Sequence, residues 1–429
     1  MATLTLGKSV GAGGANEPAD VTALKTHLVA LGLDWLTVDG TAGNDLTQAI
    51  KLQQSIFRGR NAVSGDGRVD VGGPTLEYLN SADAARWQEM PPGGGADDGF
   101  VNLELRDLAD HHDFGTSWMA DTLADAGRWY HDNHLGSTPG DAPITVNDVS
   151  LPRGGPTPDH AGHETGLEAD LRLPRTDGTA PGGTTHTTAT YDRDATRAQL
   201  RALRHQPMVS RIFFNDPVLI GEHLCTRASG HDNHLHVEIK PLPALVGYGD
   251  DYESLLDAAI ASFGGTVVDP RDHAMTPAGF QEYLTATGVA HFSAREMLTP
   301  HDARVASELG YETFLPPHAW WKRGAALALI ADELRRLVGE PVKMRNWWRP
   351  VEYNRRVDGA EGSDHVTAHG VDLDYRSADS RRRAERRLRE LDAAHPDLQF
   401  SIGLGNVTTH VGVLSPGRRR QWRYDSYVE

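Results

Sequence analysis

LPRGGPTPDHAGHETGLEADLRLP, residues 151–174, puts His163 and Asp170 on either side of a loop that contains Gly166. Asp170 opens an alternating run that suits a β-strand, so its carboxylate is expected on rigid backbone. Further on, HDNHLHVEI, residues 231–239, places His234 and His236 two apart in a β-prone run, and a period of two points both imidazoles to one face. Two histidines and a carboxylate leave the fourth position of a tetrahedral zinc open, the arrangement that hydrolysis needs. One imidazole of the strand pair can bind the metal while its neighbour moves protons. His234, and His231 three residues before it, are candidates to deprotonate water or to stabilise a tetrahedral oxyanion. A single histidine is ordinarily a satisfied loop residue, but four of them joined by an aspartate, in two clusters of strand-compatible spacing, favour a site.

Around this stretch, 429 residues are enough for two or three domains, each with its own core. The net charge of -17 and the absence of any concentrated positive surface argue against nucleic acid as a partner, and the arginines 381–383, 386 and 387 read as a helix face. One cysteine, Cys225, rules out an internal disulfide and a thiolate cluster, so a metal must use His, Asp or Glu. No basic leader with an apolar stretch is visible near the start, and no segment approaches the roughly 18–20 apolar residues of a membrane span. Synthesis in the cytoplasm without a signal peptide is therefore the expectation.

Three segments follow from the patterning. In the first ninety residues, Asp20 is the expected N-cap of a helix carrying Val21, Leu24, Leu28 and Leu31, closed by Gly32. A second helix carries Leu46, Ile50 and Ile56, and a third begins near Pro74, which together predict a small three-helix bundle over 1–92. Pro91 to Gly95 reads as a linker. Residues 97–243 predict helices at 117–131 and 196–205 and strands at 209–214 and 234–239; residues 244–285 read as a helical connector. Residues 286–429 predict helices at 325–337 and 380–393 and strands at 342–346, 371–375 and 410–414. The expected fold class is thus multidomain, the bundle being followed by two α+β domains with antiparallel sheets.

Two resemblances sharpen this. DVTALKTHLVALG, DGTAGNDLTQAIKLQQ and DGRVDVGGPTLEYLN, within about residues 5–90, resemble the peptidoglycan-binding domain found beside many wall hydrolases. LPRGG, HAGHETGLEAD and GHDNHLHV, across most of 97–240, resemble the penicillin-insensitive murein endopeptidase, one of the zinc peptidases related to lysostaphin and the D-Ala-D-Ala carboxypeptidases. The second resemblance implies that His163, Asp170 and His236 are zinc ligands and that His231 and His234 are active-site histidines outside the ligand set. It also gives His160 a counterpart. The implied activity is hydrolysis of D-alanyl-diaminopimelyl or diaminopimelyl-diaminopimelyl bonds in wall cross-links. The family's leader is not seen here, and its cysteine pairing cannot be made with Cys225 alone.

The C-terminal RNWWRPVEYNRRVDGAEGSDHVTAHGVDLDY (345–375), GLGNVTTHVGV (403–413) and RRRQWRY (418–424) repeat the theme. His365 and Asp372 keep the seven-residue separation of His163 and Asp170, and His410 lies in a β-prone run as His236 does. This segment resembles the D-Ala-D-Ala carboxypeptidase-like zinc peptidases. The resemblance implies His365, Asp372 and His410 as ligands of a second zinc and Arg349 as the partner of a substrate carboxylate or oxyanion. Ala368 and Gly370 exchange their usual positions. Val407, Thr408 and Gly412 stand where relatives carry a general base, which leaves His369 or Asp374 as substitutes, or a degenerate copy.

The leading expectation is a zinc metallopeptidase that binds peptidoglycan and acts on the bacterial cell wall. It suits an effector passed through a secretion or injection apparatus, with an immunity protein as partner, or a lysis enzyme. The alternatives are a wall-binding protein with one or both peptidase domains retired, and a metallopeptidase with a non-wall substrate. The two spare histidines speak against the first alternative and the N-terminal segment against the second.

Overall fold

A computed structural model describes residues 3–106, 111–158, 160–242, 252–416 and 419–427, and divides the chain into two compact units, Met1–Pro241 and Leu242–Glu429. Among the described residues there are thirteen α-helices and fourteen strands, so the protein is a multidomain α+β molecule.

The first unit opens with β1 (Val10–Gly11), α1 (Pro18–Ala30), α2 (Asn44–Phe57), β2 (Arg68–Val69), α3 (Pro74–Leu79) and β3 (Trp87–Glu89). Val21, Leu24, Leu28, Leu46, Ile50 and Ile56 are buried, as their helical spacing requires. Asp20 is not the N-cap: Pro18 starts α1, where its missing N–H is harmless, and the Asp20 carboxylate accepts from the backbone N–H groups of Gly7 and Lys8 at 2.9 and 2.8 Å. The Pro91 to Gly95 stretch is tied to the next strand, with Asn102 N donating to Pro92 O and Gly94 N to Phe100 O, both at 2.8 Å.

Next come β4 (Phe100–Asn102), β5 (Phe114–Thr116), α4 (Ser117–Tyr130), β6 (Ile144–Asp148), β7 (Glu168–Arg172), α5 (Arg193–Arg204), β8 (Val209–Phe213), α6 (Pro217–Gly221) and β9 (His234–Ile239). They build a five-stranded sheet in the order β4-β6-β7-β9-β8. Ala169, Leu171, Leu235, Val237 and Ile239 turn one face of β7 and β9 into fully buried core, while the alternate residues carry the histidines and carboxylates.

The second unit contains α7 (Tyr252–Ser262), α8 (Pro277–Thr287), α9 (Ala294–Leu298), α10 (Ala303–Glu308), α11 (Trp321–Val338), β10 (Lys343–Arg345), α12 (Val351–Arg356), β11 (Gly370–Asp374), α13 (Ala378–Ala394), β12 (Ser401–Leu404), β13 (Thr408–Gly412) and β14 (Arg420–Arg423). Of the expected connector, residues 244–251 lie outside the described residues. The rest, α7 and α8, packs on α11 as part of this unit. The sheet order is β10-β11-β13-β12-β14. The sheets are not purely antiparallel as expected, because β4 pairs with β6 and β12 with β14 in parallel. Both departures are at sheet edges and leave the strands that carry the histidines antiparallel. The arginine-rich face of α13 is only partly on the surface, since Arg381 is buried and stacks over Tyr427.

Candidate functional site

Pairing of β7 with β9 sets Asp170 opposite His236 and Arg172 opposite His234. His163 arrives from the preceding loop with a left-handed φ of 59°. Its Nδ1 donates to Val149 O at 2.8 Å, which turns Nε2 toward Asp170 and His236. The three donor atoms converge: His163 Nε2 lies 3.4 Å from Asp170 Oδ1 and 3.3 Å from His236 Nδ1, and His236 Nδ1 lies 2.8 Å from Asp170 Oδ1. Zinc bonds of about 2.0–2.1 Å place tetrahedral donors roughly 3.3–3.4 Å apart, so two separations already suit an ion and the third must widen by about 0.5 Å.

The outer partners fit the same purpose. His236 Nε2 lies 3.2 Å from Glu168 Oε1, and the His163 backbone N–H donates to Glu168 Oε2 at 2.5 Å. With protons on His163 Nδ1 and His236 Nε2, the remaining lone pairs face the shared position. Burial works against the charged form of Asp170, but hydrogen bonds from His163 and His236 hold its carboxyl well below the usual range. Burial likewise disfavours a charged His236, yet Asp170 and Glu168 push its pKa up to about 9. A buried pocket of negative charge of this kind could hold a cation.

A cleft of about 460 Å³ opens over this centre, lined by Asp148, His160, Arg172, His231 and His234 besides the three donors. His234 Nε2 stands 3.6 Å from Asp170 Oδ1, and burial lowers its pKa. The His231 ring is 5.0 Å from that of His234 and 5.2 Å from that of His236, with Nδ1 donating to Ser229 O at 2.9 Å. Ring nitrogens of His231, His234 and His236 lie within 4.8 Å of one another, so these three could also hold an ion as a group. His160 sits 3.5 Å from Asp148 and 3.6 Å from the outer oxygen of Asp170.

The second unit repeats the plan. Asp372 on β11 faces His410 on β13, and His365 comes from the loop before β11. His365 Nε2 and His410 Nδ1 lie 3.3 and 3.0 Å from Asp372 Oδ1. His365 Nδ1 donates to Trp347 O at 3.1 Å, and His410 Nε2 lies 3.0 Å from Asp364 Oδ2, matching Val149 and Glu168 in the first centre. Gly370 is forced by this packing, because a Cβ there would lie 2.5 Å from the His410 ring. Arg349 donates to the outer oxygen of Asp372 at 3.1 Å and lines a cavity of about 850 Å³.

Neither substitute base reaches that cavity. His369 is buried against the Tyr252 hydroxyl at 2.6 Å, and Asp374 is paired with Arg345 and accepts from Thr408. Tyr424 and Asp425 line the cavity instead, and the Trp422 ring lies 5.2 Å from that of His410. Glu168, Arg172, Asp364 and Tyr424 were not singled out from the sequence. Glu168 and Arg172 flank Asp170 at the strand period of two and could have been found that way; Asp364 and Tyr424 carry no such signal. No known protein family matches this chain, and no curated protein matches it.

Proposed function

We propose that the chain is a zinc-dependent peptidoglycan hydrolase, a metallopeptidase that cleaves stem-peptide or cross-link amide bonds, with the first centre as its working site. The observation that carries this reading is the His163, Asp170 and His236 cluster, held by backbone and carboxylate partners and open on one side to a cleft with two further histidines. The resemblance of its loops to murein endopeptidases supports peptidoglycan as the substrate. His163, Asp170 and His236 would hold zinc, which supplies Lewis acidity toward an amide carbonyl and makes water more acidic.

The residues around them do the rest. His234, whose pKa burial lowers, is suited to accept a proton at neutral pH and return it to the leaving amine, and His231 beside it to stabilise a developing oxyanion. Arg172 is held at Nε by Asn147 Oδ1 at 2.6 Å and lines the cleft, where its guanidinium would orient a stem-peptide carboxylate. In the second centre His365, Asp372 and His410 would hold a second zinc.

A second reading is favoured there by one observation: His369 and Asp374 are committed outside the cavity. That site then binds stem peptide, or turns it over slowly with Tyr424 or Asp425, while the first does the cutting. Delivery to the wall by a secretion or injection apparatus, and neutralisation by an immunity protein, remain part of the proposal. Digestion of purified murein with the native chain, His234→Ala and His365→Ala, followed by mass analysis, tests the reading. Cross-linked fragments should fall for the native chain and His365→Ala and persist for His234→Ala. Unchanged products after His234→Ala would remove the mechanism.

A further inference from the structure

The loop after α2 lies more than 100 residues upstream of the first metal centre and is nevertheless fastened to it. Asn61 Nδ2 donates to Glu168 Oε1 at 2.6 Å, across 107 residues of sequence. On either side of that bond, Val63 N donates to Glu164 Oε2 at 2.7 Å and Thr165 Oγ1 donates to Arg60 O at 2.9 Å. The loop is thereby clamped on the 163–168 turn that delivers His163.

Glu168 is the pivot. It is 3% exposed, and its two oxygens divide the work of holding both candidate histidine ligands: Oε2 takes the His163 backbone N–H, and Oε1 faces His236 Nε2. Gly162 closes the space beside it, since a Cβ there would lie 2.7 Å from Glu168 Oε2. A buried carboxylate needs its lone pairs filled. In the second centre the equivalent Asp364 has donors from its own sheet, Ser401 Oγ at 2.5 Å and Arg420 Nη2 at 2.6 Å. In the first centre a side-chain donor comes from the N-terminal segment.

We infer that Asn61 is a positioning residue for the first metal centre, so that the N-terminal helical segment completes that centre instead of serving only as a tether. The inference rests on the zinc reading given above. Asn61 fixes Glu168, Glu168 fixes the His236 ring with its proton on Nε2, and His236 Nδ1 is thereby aimed at the metal position. Without the Asn61 amide, Glu168 can rotate away and the ring loses its fixed acceptor. Zinc affinity should fall even though no ligand has changed.

Zinc affinity is measured by competition with a chromophoric chelator, in the full chain carrying His365→Ala so that the first centre reports. Asn61→Ala should weaken binding about 3- to 10-fold, short of the roughly 10–100-fold loss typical of a residue that touches the ligand itself. Asn61→Asp should weaken it further, because a like charge pushes Glu168 off His236. In a Glu168→Gln background, Asn61→Ala should add no more than about a 2-fold loss, since its effect runs through that carboxylate. Parental affinity in both Asn61 variants, or an equal loss with and without Glu168→Gln, overturns the inference while leaving the zinc reading intact. A His365→Ala parent that takes up no zinc overturns the zinc reading itself, and the inference with it.

Discussion

His234 and His236 are two residues apart on one strand face and have opposite environments. His236 is held between Asp170 and Glu168, which push its pKa up to about 9, whereas burial lowers that of His234, whose Nδ1 lies beside the Asn233 side chain. A ring that is neutral at physiological pH and stands beside the metal position is suited to accept a proton. His234→Ala is expected to lower murein cleavage about 10²- to 10⁴-fold with zinc content unchanged, as read by steady-state digestion and metal analysis of the same sample. Zinc lost along with activity would instead make His234 a ligand, in the grouping with His231 and His236. Cys225 is the contrasting case, a buried group outside the chemistry. Burial pushes its thiol up to about 12, so it should stay unmodified by a thiol reagent at pH 8 in the native chain and react at once in guanidinium. Rapid labelling of the native chain would show that the thiol is not buried.

At the scale of elements, both centres are built by the same device: an aspartate in mid-strand, a histidine opposite it on the paired strand, and a second histidine in the loop before. The register Asp170↔His236 and Asp372↔His410 is what aligns these donors, and a slip of β9 or β13 by one residue would turn its histidine to the core face. That register is held by the apolar alternates. Leu235→Ala, at a fully buried position between His234 and His236, should cost about 2–5 kcal/mol by thermal or denaturant unfolding. A change below about 0.5 kcal/mol would mean that β9 is not a core strand. The alternation that reveals β7 and β9 is written locally, which is why the strands and the spacing of the histidines were legible in the sequence. The partners were less so. Glu168 obeys the same period of two as Asp170, but Asp364 sits in a 3-10 turn where no period applies, and Asn61 acts across 107 residues with no local pattern to mark it. The parallel edge strands β4 and β14 are short, three and four residues, too brief for periodicity to specify their direction. The Pro91 to Gly95 stretch reads as a turn by composition, and only the tertiary fold shows its backbone bonded to Phe100 and Asn102.

At the scale of the whole molecule, each of the two compact units carries a His, Asp, His cluster of the same build, and among the described residues the first unit has further groupings of histidines and carboxylates that could hold an ion. The first has His231 and His234 in its cleft; the second has Arg349, Tyr424 and Asp425. No described helix is long and apolar enough to cross a membrane, and the net charge of -17 makes the molecule acidic, so the proposed engagement of an anionic wall would rest on particular contacts, not on bulk attraction. Metal content per chain tests this account most directly. Native mass spectrometry of the zinc-loaded chain should find two zinc ions, one after His163→Ala, one after His365→Ala, and none when both are changed. A native chain that takes up no zinc, or a stoichiometry that neither substitution alters, would contradict it.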